Sequence, residues 1–102
     1  MTTLISELAE RAGEIFHPAD TSGTRSAIAY VAYEELNLST QAIKAAMGFI
    51  TPDCVMDEVM RMRRFMDARD PRCAPEFRAQ VLALMAAAWR IRRADQGRRE
   101  AA

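Results

Sequence analysis

Apolar residues recur along this chain at the spacings of amphipathic helices, and β-branched residues never alternate with polar ones in the period-two runs that a strand needs. A first helix is predicted to start after Thr2 or Thr3. It places Leu4, Ile5, Leu8, Ala12, Ile15 and Phe16 on one face and Glu7, Glu10, Arg11 and Glu14 on the other. His17 to Gly23 then gathers Pro18, Asp20, Thr21, Ser22 and Gly23, turn formers that predict a loop with caps for the next element. From Thr24 to about Leu36 the residues Ala27, Ile28, Val31, Ala32, Glu35 and Leu36 keep a helical period and are apolar nearly all round, as a central helix should be. This second helix is the predicted spine of the core.

Punctuation continues to mark the boundaries. Asn37 suits a left-handed turn, Ser39 an N-cap, and Gly48 the C-terminal stop of a short helix ending at Met47. Thr51 before Pro52 predicts the start of a fourth helix, whose early acids Asp53, Asp57 and Glu58 suit its positive dipole end and which runs to about Ala68. Asp70 and Pro71 break the pattern, and Pro75 opens a fifth helix carrying Phe77, Val81, Leu82, Leu84, Met85, Ala88, Trp89 and Arg92 toward about Ala94. Residues 95–102, with Gly97, Arg98 and Arg99, read as a flexible tail. The expectation is an all-α fold of about five helices: a single domain over 1–94, without internal repeats.

Composition limits the possible functions. At 102 residues, 50% hydrophobic and 27% charged, the chain has the size and character of one globular core. Its formal net charge is zero, unlike most small nucleic-acid binders. The distribution is uneven: residues 1–50 carry three basic and six acidic side chains, and residues 51–102 carry eleven arginines against eight acids. All the basic residues but Lys44 are arginine, suited to phosphate or carboxylate but equally a mark of a GC-rich genome. Cys54 and Cys73 lack metal-ligand spacing and have only His17 for company, so reduced thiols are expected and no metal or cofactor. With one histidine, no glycine-rich phosphate loop and no nucleophile motif, an enzyme is not expected. The absence of a signal-like start and of a long apolar run predicts a cytoplasmic protein with no membrane partner.

Ser39 to Met47, the turn Gly48 to Ile50 and the helix from Pro52 have the order of a helix-turn-helix, spanning about residues 39–68, in which the second helix enters a major groove. The stretch from Arg25 to Met62 resembles the C-terminal DNA-binding domain of the bacterial replication initiator DnaA, a fold of the Trp-repressor type. Arg25 stands at the family's arginine before the second helix. Ala27 to Ser39 is similar to its alanine-rich helix ending in glutamate, a polar turn and serine. Ile43, Ala46 and Gly48 fall on its isoleucine, alanine and glycine. The family's aspartate-histidine-threonine-threonine signature is replaced here by Thr51, Pro52, Asp53 and Cys54, so among its binding residues only Arg25 carries over as a phosphate contact.

The resemblance implies a non-enzymatic regulator of bacterial replication initiation or transcription that binds double-stranded DNA. Backbone contacts would come from Arg25, Lys44, Arg61, Arg63 and Arg64, and base readout from Thr51, Asp53 or Cys54. Against this, Arg61, Arg63 and Arg64 also read as a solvated face pairing with Asp57, Glu58 and Asp67. The alternative is a protein-interaction module, an adaptor or regulator that kept the fold and lost the DNA surface. Met56, Met60 and Phe65 would then form an apolar patch for a partner or a homodimer, while Val55, Val59, Met62 and Met66 face the core. Trp89 with Arg90, Arg92 and Arg93 reads either as a tryptophan closing the core under snorkelling arginines or as an amphipathic surface for membrane, nucleic acid or an acidic partner.

Overall fold

The structure, a computed structural model, describes residues 3–16, 21–68 and 70–101. The expected loop residues His17 to Asp20 lie outside them. Five helices follow in order: α1 Leu4–Ile15, α2 Ser22–Glu34, α3 Thr40–Met47, α4 Pro52–Ala68 and α5 Pro75–Ala101. No strand occurs among the described residues, so the fold is all-α.

Local chemistry sets the ends. Thr3, Thr21, Ser39 and Thr51 each turn a side-chain oxygen to the backbone N–H three residues on, at 3.1 to 3.2 Å, which satisfies an otherwise orphaned donor at the start of α1, α2, α3 and α4. α2 therefore starts two residues before the expected Thr24 and ends at Glu34 rather than Leu36. Asn37 takes a left-handed φ of 56° as expected, and the Leu38 N–H reaches back to the Ala32 carbonyl at 3.2 Å. Gly48 (φ 76°) stops α3, its own N–H and that of Phe49 both bonding the Lys44 carbonyl. Pro71 follows Asp70 in a turn closed by the Cys73 N–H on the Asp70 carbonyl, 2.9 Å.

α2 is the hub: it packs against α1, α3, α4 and α5, whereas α5 rests on α1 and α2. Ala27, Ala29, Val31 and Ala32 are fully buried, and small side chains on several sides of one helix let its neighbours approach closely. The buried stripes meeting it are Ile5, Leu8 and Ala12 from α1, Ile43 from α3, Val55, Val59 and Met62 from α4, and Val81, Leu84, Ala88 and Ile91 from α5. α1 and α5 run antiparallel. Gln80 near one end of the pair bonds the Ile15 carbonyl, while Arg98 at the other approaches Glu7 at 3.9 Å.

One boundary differs clearly from expectation. α5 does not stop near Ala94 before a tail; it continues to Ala101. Asp95 explains the extension locally, because it pairs with Arg98 at 3.5 Å and Arg99 at 3.1 Å one turn on, and Arg98 also leans toward α1.

The close approach to α2 is testable. Ala32→Leu forces an isopropyl group into a filled core and should cost about 1–3 kcal/mol, while Ala86→Leu on the exposed face of α5 should stay within about 0.5 kcal/mol of the natural chain. Chemical-denaturation midpoints measure both; equal stabilities would show that α2 is not tightly enclosed.

Candidate interaction surfaces

Three surfaces hold the residues that sequence reasoning singled out. The first is α3, its turn and α4. With about 100° per residue, the buried Val55, Val59 and Met62 fix the opposite ridge of α4 as Asp53, Asp57, Met60, Arg64 and Asp67, all exposed. Three carboxylates and one guanidinium make that outer ridge acidic. Asp53 and Arg64 form no hydrogen bond or ion pair among the described residues, nor does the side chain of Lys44 on α3. Thr51 is occupied as the cap of α4, its hydroxyl accepting the Cys54 N–H and donating to Cys54 Sγ at 3.3 Å. Cys54 is half-buried and Cys73 buried, and neither forms a disulfide.

The other candidate arginines are engaged within the molecule. Arg25 donates to the Met47 carbonyl at 2.6 Å and lies over the Phe49 ring, 4.9 Å from its centroid, so it braces the end of α3 and the turn beyond it. Arg61 donates to Glu58 at 2.6 Å and to the Ser26 hydroxyl at 3.0 Å; that hydroxyl in turn lies 2.8 Å from Glu58. Burial raises the Glu58 pKa, but hydrogen bonds from Arg61 and Ser26 and the Arg61 charge outweigh it and leave the carboxyl below its ordinary value. Arg63 grips Glu34 through Nε and Nη2 and tethers α4 to the end of α2. Arg61 and Arg63 thus lie on opposite flanks of the buried stripe; Arg61 pairs with Glu58, one of the expected acids, and Arg63 with Glu34 rather than with Asp57 or Asp67. The candidate DNA-contacting residues do not converge on one basic face.

The predicted methionine patch is likewise divided. Met60 is exposed, Met56 is half-buried on its side, and Phe65 lies on the other flank of α4. There Phe65 lines a cavity of about 250 Å³ with Ser26, Met62, Cys73 and Phe77, beneath the guanidiniums of Arg61 and Arg72 at 5.7 and 5.4 Å from its ring centroid. Both cations there are balanced. Arg72 forms a two-pronged pair with Asp70, and the hydrogen bonds of the Arg72 side chain and backbone hold the Asp70 carboxyl at about 2 against an ordinary 3.8. The cavity is smaller than the ~300–1,000 Å³ usual for small-molecule sites.

The third surface is on α5. Val81, Leu84, Ala88 and Ile91 face inward, which turns Leu82, Ala86 and Trp89 outward, with Met85 half-buried at the edge of the core. Leu82 and Trp89 are each 52% exposed, so Trp89 does not close the core as one reading had it. Arg93 stacks over its ring at 4.8 Å, and Arg92 donates to the backbone carbonyl of Glu35. Leu82 was missed as a surface residue because it was counted with Leu84 and Trp89 in one pattern. Angular spacing separates them: Ile91 extends the stripe of Val81, Leu84 and Ala88, while Leu82 and Trp89 fall well outside it. Ile50, 85% exposed at the α3–α4 turn, was also not singled out.

No family model, curated protein or solved structure matches the chain. Among the described residues, no group of histidine, cysteine and acidic side chains could hold a metal ion, and no helix is long and apolar enough to cross a membrane. Physical geometry therefore carries the functional reading.

Two substitutions test this placement. Arg25→Ala should destabilise the fold by about 1 kcal/mol, because a charge-assisted bond and an exposed cation–π contact are lost; unchanged thermal unfolding would mean that Arg25 is free to meet a phosphate. Asp70 has a depressed folded pKa, so its contribution is present above about 3.8 and is lost as pH falls toward about 2. Asp70→Asn should flatten that part of the acid-unfolding profile, and an unaltered profile would refute the Asp70–Arg72 pairing.

Proposed function

We propose that this protein is a non-enzymatic interaction module that docks another protein, an adaptor or regulator rather than a DNA reader. The observation that carries the reading is the uncovered apolar face of α5, where Leu82 and Trp89 stand half-exposed with Met85 and Ala86 between them. Burial of such side chains is the main driving force of protein association, and tryptophan and arginine are the residues most often found at its energetic centre. Among the described residues only the Arg93 guanidinium lies over the Trp89 ring, and about half of each side chain stays open.

The disposition of charge supports the same reading. A duplex would approach α4 along Asp53, Asp57 and Asp67, where phosphate meets like charge, while Arg25, Arg61 and Arg63 are already bonded within the fold. The DNA-binding reading keeps one support: α3, the turn and α4 follow in helix-turn-helix order, with Lys44 and Arg64 unpaired among the described residues. Resemblance to the initiator's terminal domain makes a replication or transcription protein the first partner to seek.

At about 50 mM salt, where phosphate contacts are strong, the protein should leave the fluorescence anisotropy of mixed-sequence duplex DNA unchanged. A stoichiometric protein partner should co-purify with the natural chain and be lost in Leu82→Ser, whose circular dichroism and melting should match the natural chain. Salt-sensitive duplex binding abolished by Lys44→Ala and Arg64→Ala would overturn the proposal in favour of DNA.

A further inference from the structure

Leu82, Met85, Ala86 and Trp89 are spaced i, i+3, i+4 and i+7 along α5, the four positions that border one hole on a helix surface in knobs-into-holes packing. The low corner is Ala86, between the taller Leu82 and Trp89, so the surface has the relief to receive a single large apolar side chain from a helix laid along it. Val81, Leu84, Ala88 and Ile91 hold the opposite face of α5 on the core, so the hole is presented by a fixed helix rather than by a loop. From Leu82 to Arg93 the surface runs about 17 Å, three turns, the reach of a partner helix with anchors at i, i+4 and i+7.

The charge that α5 itself places around the hole has one sign. Arg92 and Arg93 flank Trp89 toward the C-terminal end, and neither pairs with a carboxylate: Arg92 takes a backbone carbonyl and Arg93 the indole face. Arg11, Arg61, Arg63, Arg72, Arg98 and Arg99 have carboxylate partners, whereas Arg25 and Arg78 bond backbone carbonyls and Arg64 is unpaired among the described residues. Arg92 and Arg93 differ from these in bordering an exposed apolar hole. Between Arg78 and Arg93 the chain contains no acidic residue at all. A second copy of this face would bring Arg92 and Arg93 against an α5 segment without acids, and the carboxylate beside Leu82, Asp70, is already paired with Arg72, which argues against a symmetric α5 dimer.

Building on the interaction-module reading, we infer that the Leu82–Trp89 face of α5 binds an amphipathic helix whose apolar stripe is bordered by acidic side chains. A leucine-sized side chain seats over Ala86 between Leu82 and Trp89, and the partner's carboxylates meet Arg92 and Arg93. The apolar hole supplies most of the affinity, and the two arginines choose among apolar helices by charge.

Trp89 is the chain's single tryptophan and sits in the hole, so its emission reports occupancy directly. The probe is a tryptophan-free helical peptide of about 18 residues, with leucines at i, i+4 and i+7 spacing bordered by glutamates, and a twin in which lysines replace the glutamates. The glutamate peptide should shift Trp89 emission to the blue and shield it from quenchers, weakening as salt rises. Arg92→Glu combined with Arg93→Glu should weaken binding about tenfold, as two exposed ion pairs turned repulsive imply, and Leu82→Ser should abolish it. Arg64→Glu, on the outer ridge of α4, should leave it unchanged. Equal binding of the lysine twin would overturn the acidic specificity while leaving α5 a docking face. Binding of neither peptide, together with concentration-dependent dimerisation lost in Leu82→Ser, would assign the face to a second copy. Quenching of Trp89 by duplex DNA would overturn the interaction reading itself.

Discussion

Everything in this molecule depends on the enclosure of α2. A helix that touches four others must be buried on more than one side, and the bulk of its side chains then sets how close its neighbours can come. Ala27, Ala29 and Ala32 supply that small bulk, and Val31 fills the space between them. The two polar residues drawn into this interior are satisfied. Thr24 bonds to the α2 cap, Thr21, while Ser26 reaches Ser22, Glu58 and Arg61, so the enclosure leaves no buried side-chain polar atom unpartnered among the described residues.

The same constraint decides which charges remain for outside use. α4 is held on α2 partly through Arg61 with Ser26 and Arg63 with Glu34, and α3 is held by Arg25 on the Met47 carbonyl. The guanidiniums of these braces are engaged within the fold, while the exterior of α4 keeps its aspartates. α5 is held differently, by an apolar stripe on one side and by the Arg98 contact with α1. Arg92 and Arg93 are left without carboxylates among the described residues, beside an apolar hole. Lys44 and Arg64 on α3 and α4 also lack carboxylate partners among the described residues, but Arg64 stands among the aspartates of the outer ridge, whereas on α5 the unbalanced charge borders a contiguous apolar face.

Much of the fold could be read from residues that act locally. Caps at Thr3, Ser39 and Thr51, the stops at Asn37 and Gly48, and the Pro71 and Pro75 punctuation fall where the sequence implies, because each works through backbone groups within a few residues. α2 as the spine was also legible, since a helix apolar on nearly every side has to be enclosed. Long-range pairings were not. The Glu58–Arg61 pair follows from i,i+3 spacing, but composition cannot tell that Arg61 also reaches Ser26 or that Arg63 pairs with Glu34, because those choices depend on how α4 crosses α2. The C-terminal extension was missed because Gly97 and a charged sequence suggest fraying, while the Asp95–Arg99 and Arg98–Glu7 contacts support a helix. Leu82 and Trp89 were grouped with core residues, although their angle on the helix wheel places them outside.

The central claim is that the hole on α5 stands open to water in the free protein. Acrylamide quenching of Trp89 in dilute, partner-free protein tests it most directly, by comparing the native chain with the same chain unfolded in guanidinium. An open face predicts water-like emission and a native quenching constant at least half that of the unfolded chain, in keeping with an indole 52% exposed. Blue-shifted emission with quenching near zero would show Trp89 covered in the folded chain, and would contradict the assignment of this face to a partner.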